Sequence, residues 1–181
     1  MATREGPLTP ENLLDTAPEL AALFNGYEMR PMNPQDVAGL VLGPIPEHLP
    51  DLVKVFLARG LACIAYSGFH YVLATVGFGQ FGLAAEAAIR EYALSKGIDI
   101  KTKKGSPKGF YNLIKELHNK KHLTKEQIDF WEWMVKLRNH LLHPQGEMIA
   151  SYGMIFGPLQ SMTEEMLLLF PVPEKVDLQN P

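Results

Sequence analysis

The stretch LTKEQIDFWEWMVKLRNHLLHP, residues 123–144, reads as one long amphipathic helix. Thr124 and Gln127 have the spacing of a capping box, in which each side chain answers the other's backbone amide. Leu123 and Ile128 would form the hydrophobic staple around it. Pro144 cannot continue a helix and biases its predecessor away from helical geometry, so the helix is expected to end or kink at His143. At about 100° per residue, Phe130, Met134, Leu137 and Leu141 fall together, and Trp131, Val135 and Leu142 form a second apolar group. Glu132, Lys136, Asn139, His140 and His143 share a polar arc. Arg138 falls between the two apolar groups. A guanidinium there must be paired or must open onto an interface, because an unpaired buried charge is very costly. Glu86 is the best partner within the chain, and a simple surface pair between Glu86 and its i+4 neighbour Arg90 accounts for that residue equally well.

Working outward, FYNLIKELHNKKH (110–122) is a shorter amphipathic helix, with Phe110, Leu113, Ile114 and Leu117 at i, i+3, i+4 and i+7. QFGLAAEAAIREYALSKG (80–97) is alanine-rich and ends at Gly97, as a helix C-cap would. Between them lies the loop IDIKTKKGSPKG (98–109). A helix is expected to start after Pro50 and run towards Arg59. From Arg59 to Glu86 no charged residue intervenes, and a membrane span needs only about 20 apolar residues. Ser67, His70, Thr75, Gln80 and five glycines weaken that reading. The expectation is a buried central helix, broken near Gly77 to Gly79. Near the C-terminus a helix is expected from about Thr163 to Phe170, stopped by Pro171 and Pro173, while EMIASYGMIF (147–156) fits helix and strand alike.

Residues 1–50 hold eight of the fourteen prolines. Within them TPENLLDTAPELAALF (9–24) offers one short helix, and GPIPEHLPDL (43–52) is extended or turn-like, because a residue before proline is pushed away from helical geometry. The expected organisation is a proline-rich arm (1–50) packed on a helical domain (51–175), with a tail at 176–181. No strand-rich pattern or internal repeat is present. The fold class is all-α, a bundle of about four to six helices. At 46% hydrophobic the chain can build a core. Its one cysteine, Cys63, excludes an internal disulfide framework and fits a reducing, cytoplasmic setting. The opening MATREGPLTPENLL lacks the apolar region of a signal peptide.

Net charge is −3, but its distribution is uneven. Eight lysines stand against Asp99 and Glu116 between Lys96 and Lys121, a segment of +6. The remainder must therefore carry −9. A basic segment on an acidic body can guide a phosphate-rich ligand, and it can equally be a solvated loop. Lys101, Lys103, Lys104 and Lys108 are its candidate RNA-binding residues.

The polar end of the long helix has the groups needed to break a phosphodiester by attack of its own 2′-hydroxyl without a metal. Histidine takes a proton near neutral pH. Arginine holds phosphate bidentately and stabilises its developing charge, and asparagine can orient either group. Arg138-Asn139-His140-Leu141-Leu142-His143 resembles the R-x(4–6)-H motif, with a polar residue after the arginine, of the HEPN superfamily (higher eukaryotes and prokaryotes nucleotide-binding). GLAAEAAIREYALSKG resembles the long first helix of that family, and residues 110–144 resemble its helix pair leading into the motif. The similarity covers roughly residues 60 to 170 and leaves the arm uncovered. It implies a helical bundle that forms a homodimer, in which two motifs meet in one cleft and cut RNA without metal, as in toxin and defence proteins. His143 would be the general base or acid, Arg138 the phosphate clamp and Asn139 its support. The role of His140 stays open, and Glu86 is a candidate support.

Two other readings stand beside this one. In the first, the family members that only bind are the better guide, and the chain is a dimeric module for a nucleotide or a protein partner such as a nucleotidyltransferase. In the second, Arg138 merely pairs with Glu86, while Asn139 and His143 satisfy the last carbonyls of their helix. His118, His122, His140 and His143 offer zinc-type donors. However, the first pair sits among lysines and no H-E-x-x-H pattern is present, so neither a metal nor a cofactor is expected. Trp131 reads as core, and Trp133 as core or dimer interface.

Overall fold

Small residues set how the central helices meet. The computed structural model describes residues 15–17, 24–25, 30–31, 33–41, 44–142 and 152–172. Its elements are β1 (Phe24–Asn25), β2 (Arg30–Pro31), α1 (Pro34–Val41), α2 (Asp51–Tyr66), α3 (Val72–Ser95), α4 (Phe110–Asn119), α5 (Lys125–Leu142) and α6 (Tyr152–Leu169). The architecture is all-α, with one antiparallel pairing of the two-residue strands β1 and β2. The helix α3 is the hub: α2, α4, α5 and α6 all pack on it. Against α2 it presents Gly77, where a Cβ would lie 2.7 Å from the Gly60 carbonyl oxygen and 2.7 Å from Ile64 Cγ1.

The expected break near Gly77 to Gly79 is therefore absent. Helix α3 runs unbroken through both glycines, which are buried; Gly77 serves close backbone approach rather than a bend. The chain turns earlier, at residues 67–71. There the buried Ser67 hydroxyl donates to the Ile64 carbonyl at 2.6 Å, and α2 extends past Arg59 to Tyr66. The far end of α3 follows expectation. Gly97 has φ +68°. Its amide donates to the Leu94 carbonyl at 3.0 Å, and the Ile98 amide donates to the Ala93 carbonyl at 2.8 Å. This is a Schellman closure, with Ile98 and Ala93 both buried beneath it.

Helix α3 is also long and apolar enough to cross a membrane, but 61% of its apolar window is buried inside the protein. Its hydrophobicity is that of a core helix. Around it the core gathers Phe78, Phe81 and Ile89 from α3, Leu113 and Leu117 from α4, Trp131 and Met134 from α5, and Met162 and Met166 from α6.

Two helices differ from the sequence reading. Helix α6 begins at Tyr152, well before Thr163, and carries Pro158 inside it; the ambiguous 152–156 segment is helical. Helix α1 had no counterpart in that reading. It starts with Pro34 behind a reciprocal cap, in which the Asn33 amide donates to Asp36 Oδ2 at 2.7 Å and the Asp36 amide donates to Asn33 Oδ1 at 3.0 Å. Helix α1 packs on α2 with Val37 fully buried, and the Ala17 amide donates to the Gly68 carbonyl at 2.9 Å. The short helix expected within residues 9–24 falls almost entirely outside the described residues. Residues 44–50 are non-helical, with a turn closed from the Leu49 amide to the Pro46 carbonyl.

Gly77→Ala tests the α2–α3 contact. Its added Cβ meets backbone and cannot be relieved by one side-chain rotation, so a loss of about 1–3 kcal/mol is expected, the usual cost of overpacking. Urea unfolding followed by circular dichroism measures it. An unchanged midpoint would mean that the helices do not meet at this glycine.

Candidate functional site

The N-terminus of α5 is fixed as its sequence requires. The Thr124 amide donates to Gln127 Oε1 at 3.1 Å, and the Gln127 amide donates to Thr124 Oγ1 at 3.3 Å. Glu126 beside them lies below the usual carboxylate range, held first by its own backbone amide and then by the Thr124 hydroxyl. From this anchored start α5 runs back along α4, to which a five-residue connection joins it. Helices so joined are antiparallel. Helix α5 has 18 residues to the ten of α4, so its end runs past the start of α4 towards the side of the basic loop. Lys115 of α4 registers this pairing: contact with Tyr111 first, and the charge of Glu132 on α5 as a lesser cause, hold its ammonium above the usual lysine range.

Arg138 sits near that end, pressed against α3. A Cβ at Gly82 would lie 3.0 Å from both Cβ and Cγ of Arg138, so a larger residue there would make α5 give way by a few tenths of an ångström. The Arg138 side chain is 23% exposed, and its Nη2 donates to Glu86 Oε2 at 2.8 Å. Nη1 donates to Asn139 Oδ1 at 3.0 Å. Nε is buried without a hydrogen-bond partner among the described residues. Arg138 is thus paired within its own chain by the carboxylate expected of it.

The surface pair considered for Glu86 exists as well. Arg90 Nη2 donates to Glu86 Oε1 at 2.7 Å, and Nε donates to the same oxygen at 3.1 Å. Each carboxylate oxygen takes one guanidinium. The three side chains are 16% to 23% exposed, so one negative charge faces two positive ones in a partly desolvated setting, and the cluster keeps a net positive charge. Arg90 Nη2 also donates to the Lys108 carbonyl at 2.8 Å. Lys108 Nζ in turn donates to Glu116 Oε2 at 2.6 Å, with Lys120 Nζ 3.7 Å from the other oxygen. A continuous polar chain therefore runs from Arg138 through Glu86 and Arg90 to the basic loop and on to α4.

That loop is closed rather than loose. Thr102 donates its amide to the Ser106 carbonyl, and Gly105, at φ +81°, donates to the Thr102 carbonyl, both at 2.8 Å. Lys101 forms an antiparallel bridge with Pro107. Lys101, Lys103 and Lys104 are exposed, whereas Lys108 differs from the other three because Glu116 neutralises its ammonium. Asn139 and His140 are exposed on the last turns of α5. His143 lies outside the described residues. Trp131 is core, fully buried, while Trp133 is 41% exposed, tilted against Phe130 and not in the core. Tyr111, which the sequence reading did not single out, is 40% exposed on the first turn of α4, with Lys115 Nζ 4.4 Å from its ring centre. Its position directly after a lysine-rich loop, with a lysine at i+4, was the available signal.

Glu86→Ala and Arg138→Ala should differ in stability. Removing Arg138 leaves Glu86 paired with Arg90, whereas removing Glu86 leaves two guanidinium groups facing each other. With partial exposure weakening the charges, Glu86→Ala is expected to cost about 1–3 kcal/mol, and more than Arg138→Ala. Denaturant melts of both variants give the order, and the reverse order would mean that Glu86 is not the shared partner.

Compared with known proteins, the chain matches no family model, no curated protein and no solved structure, so a functional reading must stand on its own residues.

Proposed function

We propose that this chain is a HEPN-like helical protein that acts on RNA, cutting it without a metal in a cleft shared by two copies in a cytoplasmic setting. The observation that supports this most is the convergence at one end of the α4–α5 hairpin. The motif arginine and Asn139 are tied through Glu86 and Arg90 to the Lys108 carbonyl of the basic loop, on which Lys101, Lys103 and Lys104 are exposed, and His140 is exposed next to Asn139 on α5. Two guanidinium groups on one carboxylate leave a positive charge that a phosphate can satisfy. In the reaction, His143 takes the proton of a ribose 2′-hydroxyl, and that oxygen attacks the adjacent phosphorus. The bond to the 5′-oxygen breaks, that oxygen accepts a proton, and a cyclic phosphate remains. Arg138 stabilises the charge on the phosphorus oxygens. The lysine loop holds flanking phosphates.

The same ion pair favours a second reading. An arginine already engaged by Glu86 and Asn139 can be a structural clamp, with the chain acting as a dimeric module for a nucleotide or a protein partner of the nucleotidyltransferase type.

Incubation with single-stranded RNA in EDTA separates the two readings. Cleavage by the wild type, reduced about 100-fold or more in His143→Ala, is the expected result. Binding without cleavage would leave the module reading, and equal cleavage by both proteins would remove His143 from the mechanism.

A further inference from the structure

Tyr111 lies where an aromatic ring is unusual for a helix in water. It follows Lys108 of the lysine loop by three residues, and the residue is two-fifths exposed. The hydrophobic face of α4 is complete without it, since Phe110, Leu113, Ile114 and Leu117 are all buried. Lys115 Nζ stands over the ring, 4.4 Å from its centre, a cation–π distance that places a positive charge on one face and leaves stacking to the other. Trp133 and Tyr66 are also exposed, but their ring contacts are apolar, with Phe130 and Phe69. Tyr111 combines exposed aromatic area with neighbouring cations. The α4–α5 hairpin sends α5 back past the start of α4, so Tyr111 lies towards the end of the bundle that carries the lysine loop, Asn139 and His140.

We infer that Tyr111 is a base-stacking platform for single-stranded RNA, seated between the phosphate-binding lysines of residues 101–104 and the motif end of α5. This rests on RNA being the ligand and adds the form it takes. A base can stack on an aromatic face only when it is unpaired, and a ring with a lysine over its opposite face and a lysine loop three residues before it binds backbone and base together without reading sequence. In a duplex the base faces are covered by their neighbours, and only the lysines find partners.

Fluorescence anisotropy with the full chain tests this, using a labelled 12-nucleotide single-stranded RNA, the same RNA as a duplex, and inorganic polyphosphate as competitor. Tyr111→Ala should weaken single-strand binding roughly 5- to 150-fold, the usual loss when a stacking aromatic is removed. Tyr111→Phe should keep it, and polyphosphate competition should be unchanged in both. The triple variant Lys101→Glu, Lys103→Glu, Lys104→Glu should lose RNA and polyphosphate alike. Binding that is equal in wild type and Tyr111→Ala, with both folded by circular dichroism, overturns the platform and leaves RNA as the ligand. A wild type that binds neither RNA form overturns the ligand itself, and the platform with it.

Discussion

One carboxylate ties α5 and the basic loop to the central helix of this bundle. Glu86 gives one oxygen to Arg90 on its own helix and the other to Arg138 on α5. The charge is partly desolvated, so each contact is stronger than a surface pair, and losing the carboxylate exposes two like charges to each other. Gly82, one turn earlier on α3, makes the geometry available, because a larger residue would push Arg138 away. Arg90 then carries the link to the Lys108 carbonyl and so to the basic loop. Position on α3 therefore determines where α5 ends, and where the loop lies relative to it.

The rest of the fold serves that arrangement. The close α2–α3 packing at Gly60 and Gly77 makes a tightly packed base. The Schellman closure at Gly97 sends the chain out of α3 into the basic loop, and the capping box at Thr124 starts α5 in register to return along α4. An excess of guanidinium and ammonium groups over carboxylates follows at the end where those elements meet. Such an excess has a physical consequence even without chemistry, since it attracts phosphate and weakens with salt.

Local signals in the sequence were legible and tertiary ones only in part. The capping box, the Gly97 terminus and the apolar face of α4 depend on residues a few positions apart, and all three are present. The odd placement of Arg138 on its helix was enough to demand a partner and to suggest Glu86. That Glu86 would satisfy both Arg90 and Arg138 could not be read, because it depends on which oxygen each guanidinium reaches. The break expected at Gly77 to Gly79 was misplaced for a related reason: glycine lowers helix propensity, but a glycine at a helix crossing permits contact that more than offsets this. Pro158 hid the start of α6 in the same way. Helix α1 was readable from Asn33, Pro34 and Asp36, yet the surrounding prolines masked it. Among the site residues, Lys108 looked like its neighbours until Glu116, eight residues on and nearly two helix turns inside α4, was seen to neutralise it.

Amide hydrogen exchange on wild type and Glu86→Gln tests the central role of this carboxylate most directly. The substitution keeps side-chain volume, removes the charge and puts an amide donor against one of the two guanidinium groups. If Glu86 ties α5 and the basic loop to α3, exchange accelerates both in residues 101–108 and in residues 136–142, while the α2–α3 contact keeps its protection. Acceleration confined to α3, or none at either segment, would contradict that role.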